Sequence, residues 1–151
     1  MLSLSVELKE RIKFDRQKII TAFQQDGKSD VLLHKLRECI DEALTRAWIS
    51  FNLPAIISLI AVGGYGRGEL FPHSDVDVMV LLEATPDAEL KCKLEKLVQL
   101  FWDIGLEIGH SIRTIDECLT EALADITVQT CLLEARLVTG SKKNFALFQH
   151  R

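Results

Sequence analysis

The stretch 61–81, AVGGYGRGELFPHSDVDVMVL, decides the reading of this chain. An apolar run reaching Val62 ends in Gly63-Gly64, and ten residues separate Gly64 from Asp75. Asp75-Val76-Asp77 then opens a second apolar run. Side chains alternate along a strand, so Asp75 and Asp77 share one face while Val76, Val78 and Val80 point the other way, into a core. Their Cα atoms are about 7 Å apart. That spacing lets both carboxylates converge on one cation, or bridge two cations about 3.5–4 Å apart. Two anions in an otherwise dry strand are costly unless something cationic neutralises them. Magnesium suits such hard oxygen ligands and leaves positions for water or substrate phosphates. The plainer alternative, a solvated edge-strand face, needs the glycine turn and the apolar flanks to coincide by chance.

Gly63 and Gly64 at a strand end let backbone N–H groups approach phosphate oxygens with no Cβ in the way. A short helix starting near Tyr65 or Gly66 would aim its N-terminus at the same anion, and Arg67 could add a charge-assisted contact. The stretch is not a Walker loop, because no G-K-[ST] follows, and its glycine spacing is wrong for a dinucleotide fingerprint. A third carboxylate is expected, to complete a metal cage or to take a proton. Glu107, between Leu106 and Ile108 in an expected third strand, is the best candidate; an exposed strand residue is its plain alternative. Glu83 and Asp103 are weaker. His110 falls on the face opposite Glu107, and His34, His73 and His150 read as structural or solvated.

Working outward, 151 residues at 48% hydrophobic can bury one core. A net charge of -4 with no Lys/Arg cluster argues against nucleic-acid binding through a basic surface. Cys39, Cys92, Cys118 and Cys131 form no C-x-x-C pair and read as free thiols of a reducing compartment. There is no signal-peptide core and no stretch near the roughly 20 apolar residues of a membrane helix, so a cytoplasmic protein without membrane attachment is expected.

The periodicity predicts helices over 4–25 and from Ser29 or Asp30, either of which could cap, to about Ser50. Strands follow at Ile56–Val62 and Asp75–Leu82. Their connection is too short for a long crossover helix, so they should pair antiparallel. Thr85-Pro86-Asp87 starts a helix to Ile104 with Thr85 as its cap, Leu106–Arg113 is the third strand, and Thr114-Ile115-Asp116-Glu117 fits a capping box. A last helix capped by Asp125 would run through Leu132, Leu133 and Leu137 to Gly140. The expected class is α/β in the α+β sense: a small mixed sheet of about three or more strands flanked by helices. An N-terminal helical segment, 1–52, precedes a domain over 53–151 that ends as another helix begins, as in a C-terminally truncated piece.

Apolar-Gly-Gly, ten residues, then Asp-apolar-Asp-apolar resembles the nucleotidyltransferase superfamily of DNA polymerase β, and implies that fold. The longer strings VGGYGRGELFPHSDVDVMVL, LFWDIGLEIGHSIRT and LADITVQTCLLEARLVTG resemble the N-terminal region of the bifunctional uridylyltransferase/uridylyl-removing enzymes that modify PII signalling proteins. That resemblance covers roughly residues 55–140. It implies transfer of UMP from UTP to a tyrosine of a PII nitrogen-regulatory protein, with Mg²⁺ and release of pyrophosphate. Gly63 and Gly64 match its phosphate turn, Asp75 and Asp77 its metal carboxylates, and Glu107 its third carboxylate by position. The HD hydrolase and ACT domains of the family fall outside this sequence, so removal of UMP and glutamine sensing are not expected of it. The alternatives are a related adenylyltransferase acting on glutamine synthetase, and an inactive fragment serving as a binding module.

Overall fold

The computed structural model describes residues 4–54, 56–66, 76–126, 129 and 133–149. Helix α1 (Leu4–Asp26) and helix α2 (Ser29–Ser50) pack on one another. Strand β1 (Ser58–Ala61) leads into a single helical turn, α3 (Gly63–Gly66). Strand β2 (Val76–Leu82), helix α4 (Ala88–Asp103) and strand β3 (Ile108–Thr114) follow. Helix α5 (Ile115–Ala124), strand β4 (Arg136–Gly140) and helix α6 (Lys142–Gln149) complete the described chain.

The sheet has the order β3-β2-β1-β4. β1 runs antiparallel to both β2 and β4, as its short link to β2 requires, while β2 and β3 are parallel and joined through α4. The class is therefore mixed α+β, as expected. β1 and β2 lie inside the sheet and are covered on both faces, which is why they read as continuous apolar runs. One face carries Leu59, Ala61, Val76, Val78, Val80 and Leu82 against Leu8 and Ile12 of α1, Ile40, Leu44 and Trp48 of α2, and Leu97 and Phe101 of α4. The other carries Ile60, Met79 and Leu81 against Ile115 and Cys118 of α5, with Phe145 and Phe148 of α6.

Several expectations are corrected. The helix expected through Leu137 to Gly140 is a strand: β4 pairs with β1, with an irregularity between Leu59 and Ile60. Its Leu137, Val138 and Thr139 meet the open edge of β1, and pairing there overrides the helical spacing of the leucines. The caps also move. Asp87, not Thr85, caps α4 by accepting from the Leu90 amide at 2.8 Å. Lys28, with no side-chain cap bond, precedes α2, where Ser29 or Asp30 was expected to cap. The break before it is made by Gly27 at φ +68° and by Asp26, whose carboxylate accepts from the Lys28 amide at 2.9 Å. The capping box is as expected: Thr114 Oγ1 accepts from the Glu117 amide at 3.1 Å.

Candidate active site

The site sits where β1 gives way to α3 beside the start of β2. The Val62 amide donates to the Asp77 carbonyl at 3.0 Å, continuing the antiparallel ladder one residue past β1. The chain then turns at Gly63, whose φ of +60° suits a residue without a Cβ. Asp77 sits on the same face of β2 as Met79 and Leu81, the face that α5 and α6 cover only farther along. Its parallel register partner on β3 is Gly109.

Glycine on either side makes room for this carboxylate. A Cβ on Gly63 would lie 3.2 Å from Asp77 Oδ2, and a Cβ on Gly109 would overlap Asp77 Oδ1 outright. The half-buried Asp77 side chain thus fills a slot that two missing side chains open, with the glycine turn along one wall. Gly109 is the site residue that reading the sequence missed as such; its signal was a glycine inside an otherwise regular strand, which marks a close approach.

Of the residues expected in the site, Gly63 and Gly64 form the first half of α3, which starts earlier than Tyr65. Asp77 stands against Gly63. Arg67 and Asp75 lie outside the described residues. Glu107 is not inside β3 as expected but immediately before it, and it is exposed. Its carbonyl still accepts from the Val76 amide at 2.8 Å, so the backbone of residue 107 is tied to the head of β2. It lies two residues ahead of Gly109, the register partner of Asp77. Among the described residues no three His, Cys, Asp or Glu side chains group closely enough to hold a metal ion; Asp75 is not among them. A groove of about 330 Å³ between α5 and α6 is lined by none of these site residues.

Behind the glycine turn lies a second cluster, whose members no motif or spacing in the sequence links. The buried Tyr65 hydroxyl donates to Asp41 Oδ1 on α2. Arg136, first residue of β4, donates from Nη1 to Asp41 Oδ2 at 2.6 Å and from Nη2 to Asp41 Oδ1 at 3.2 Å. The same Nη2 donates to the Tyr65 carbonyl at 3.3 Å, and the guanidinium stands 5.1 Å from the centre of the Tyr65 ring. Burial, then the neighbouring Asp41 carboxylate, push the Tyr65 phenol well above its ordinary pKa, against the opposing pull of Arg136. Burial works against the charge on Arg136, but its hydrogen bonds and attraction to Asp41 outweigh that and raise it.

A glycine turn set against a strand aspartate in a small mixed sheet is the arrangement of one class of enzyme domain. Residues 42–128, more than half of the chain, match the family described as "Nucleotidyltransferase domain", and the chain belongs to that family. Its sequence is 50% identical over 150 residues to the bifunctional uridylyltransferase/uridylyl-removing enzyme of Cupriavidus metallidurans, covering 99% of this chain and 18% of that protein. It is 49% identical over 142 residues to the enzyme of the same name from Bordetella avium (94% and 17%) and 46% identical over 138 residues to that from Ralstonia nicotianae (91% and 16%). The chain spans less than a fifth of the length of these relatives. No helix among the described residues is long and apolar enough to cross a membrane.

Proposed function

We propose that this chain carries the uridylyl-transfer site of a PII-modifying enzyme: it binds UTP and moves UMP to a tyrosine hydroxyl of a PII signalling protein. The observation that carries the reading is the slot between Gly63 and Gly109 that holds the Asp77 carboxylate against the glycine turn. Similarity over 99% of this chain to a bifunctional uridylyltransferase/uridylyl-removing enzyme supports UTP as the nucleotide. The tyrosine oxygen bonds to the α-phosphorus as the bond from that phosphorus to the bridging oxygen breaks. Pyrophosphate leaves, and the phenolic proton passes to a carboxylate or to water. Such chemistry asks mainly for positioning and charge neutralisation.

The donor set fits a hard divalent cation. Asp77 presents two carboxylate oxygens between Gly63 and Gly109, and hard oxygen donors of this kind suit such a cation. Asp75, Asp77 and Glu107 would hold Mg²⁺, which when bound draws charge off the triphosphate. Gly63 and Gly64 bring backbone amides close to phosphate oxygens, and Arg67 adds a cation there. The reading places the protein in the cytoplasm, with UTP and PII as partners and no nucleic acid.

The test incubates the chain with Mg²⁺, α-labelled UTP and a PII protein, with ATP and glutamine synthetase as the parallel arm. Label on a PII tyrosine supports the reading. Label transferred from ATP to glutamine synthetase alone would replace it with the adenylyltransferase alternative. Nucleotide binding without transfer in either arm would leave a binding module.

A further inference from the structure

We propose that Asp41, Tyr65 and Arg136 form a positioning clamp that sets the glycine turn against Asp77, so that affinity for the triphosphate depends on residues that do not touch it. The inference rests on the nucleotidyl-transfer reading of the same site. Its observation is that two elements far apart in sequence meet on one residue of the turn. α2 supplies Asp41 to the Tyr65 hydroxyl, and β4 supplies Arg136 to the Tyr65 carbonyl and, as a fork, to both Asp41 oxygens.

The clamp lies on the far side of the turn from Asp77. Arg136 pairs in register with Ala61, whose face of the sheet packs on α2, whereas Asp77 lies on the opposite face. The turn is therefore held from behind and presents its glycines forward. Gly66 closes the arrangement: a Cβ there would lie 2.9 Å from the Ala61 carbonyl oxygen and would overlap the Glu134 carbonyl just ahead of β4. A four-residue helix has almost no internal bonding to fix its own orientation. The Tyr65 anchor supplies it instead. Arginine is required because one planar fork must satisfy a carboxylate and a carbonyl together, which a lysine point charge cannot.

The variants are Arg136→Met, Arg136→Lys and Tyr65→Phe in the 151-residue chain. Calorimetric titration with Mg-UTP and with magnesium triphosphate is run well below the melting temperature of each variant. Losing charge-assisted hydrogen bonds in such a cluster corresponds to roughly tenfold or more in affinity. Arg136→Met is expected to weaken both ligands by about that factor, Arg136→Lys to recover only part of it, and Tyr65→Phe to lose less. In turnover, KM for UTP rises while KM for PII stays at its wild-type value. A purely structural role would lower the melting temperature and the active fraction without moving either affinity, and that result overturns the clamp. Tyr65→Phe, which removes one oxygen, keeps the test available if Arg136→Met does not fold: unchanged Mg-UTP affinity in that variant overturns the clamp as well. Wild-type protein that binds no magnesium nucleoside triphosphate overturns the nucleotidyl-transfer reading and the clamp with it. Wild-type affinity that survives in Arg136→Met overturns the clamp alone.

Discussion

Asp77 and its two flanking glycines are where single atoms decide the outcome. Replacing both Asp75 and Asp77 by Asn removes the charge that a cation site needs while keeping the shape of each side chain. Mg²⁺-dependent transfer is expected to vanish, and the melting temperature to hold or rise because a repulsive pair is gone; transfer at the wild-type rate would refute the assignment. Gly109→Ala tests the same slot from the other side. Its new Cβ overlaps Asp77 Oδ1, so the carboxylate must turn aside, and transfer should fall by about a hundredfold, the order of loss from a positioning error of about an ångström. Gly27→Ala is the matched control. Gly27 has φ +68° with nothing within 4 Å of a new Cβ, so the change should cost about 1–2 kcal/mol of stability in urea unfolding and leave UTP affinity untouched. Asp77 and Gly63 could be read from the sequence because their chemistry is local: a carboxylate in an apolar run, a glycine at a strand end. Asp41 and Arg136 could not, because what they do depends on which strand and helix lie beside them, and the glycine at 109 marks a close approach without saying to what.

At the scale of elements, β1, β2 and the capping box at Thr114 were legible because alternation, β-branched runs and a four-residue signature are local signals. β4 was not. Arg136–Gly140 is too short for its periodicity to outweigh the preceding leucines, and what makes it a strand is the free edge of β1. Gly140 marks how tight that pairing is. With φ +106°, and a Cβ that would lie 2.5 Å from the Ile57 carbonyl oxygen, Gly140→Ala should destabilise by about 1–3 kcal/mol. A shift in the urea midpoint at constant slope is the check. The helix cysteines give an element-level pH test. Burial is the largest cause pushing the thiols of Cys39 on α2 and Cys118 on α5 from 9.0 up to about 11. A folded-state pKa above the unfolded one means stability is intact below about pH 9 and is lost as the pH rises from there through 11, because the unfolded thiols ionise first. Alkylation at pH 8, mapped by mass spectrometry, should accordingly mark the exposed Cys92 before Cys39 and Cys118.

Across the whole molecule, the site is built on a core that draws on both ends of the described chain. Leu8 and Ile12 of α1 are buried in the same cluster as Trp48 of α2, Val78 of β2 and Phe101 of α4. Asp41 of α2 and Arg136 of β4, 95 residues apart, meet behind the turn. Folding and nucleotide binding should therefore be one cooperative property. Burying two such aliphatic side chains is worth about 3–6 kcal/mol, against a total stability of about 5–15 kcal/mol for an ordinary domain. Deleting residues 1–27 should thus leave the remainder marginal, with a large drop in the urea midpoint and a matching loss of Mg-UTP affinity. In the intact chain, the fluorescence of Trp48, 6% exposed, should change at the same denaturant concentration as the far-UV circular dichroism. Two separated transitions, or a deletion that keeps its midpoint, would show the helical pair to be an independent unit and the core to be less shared than its packing implies.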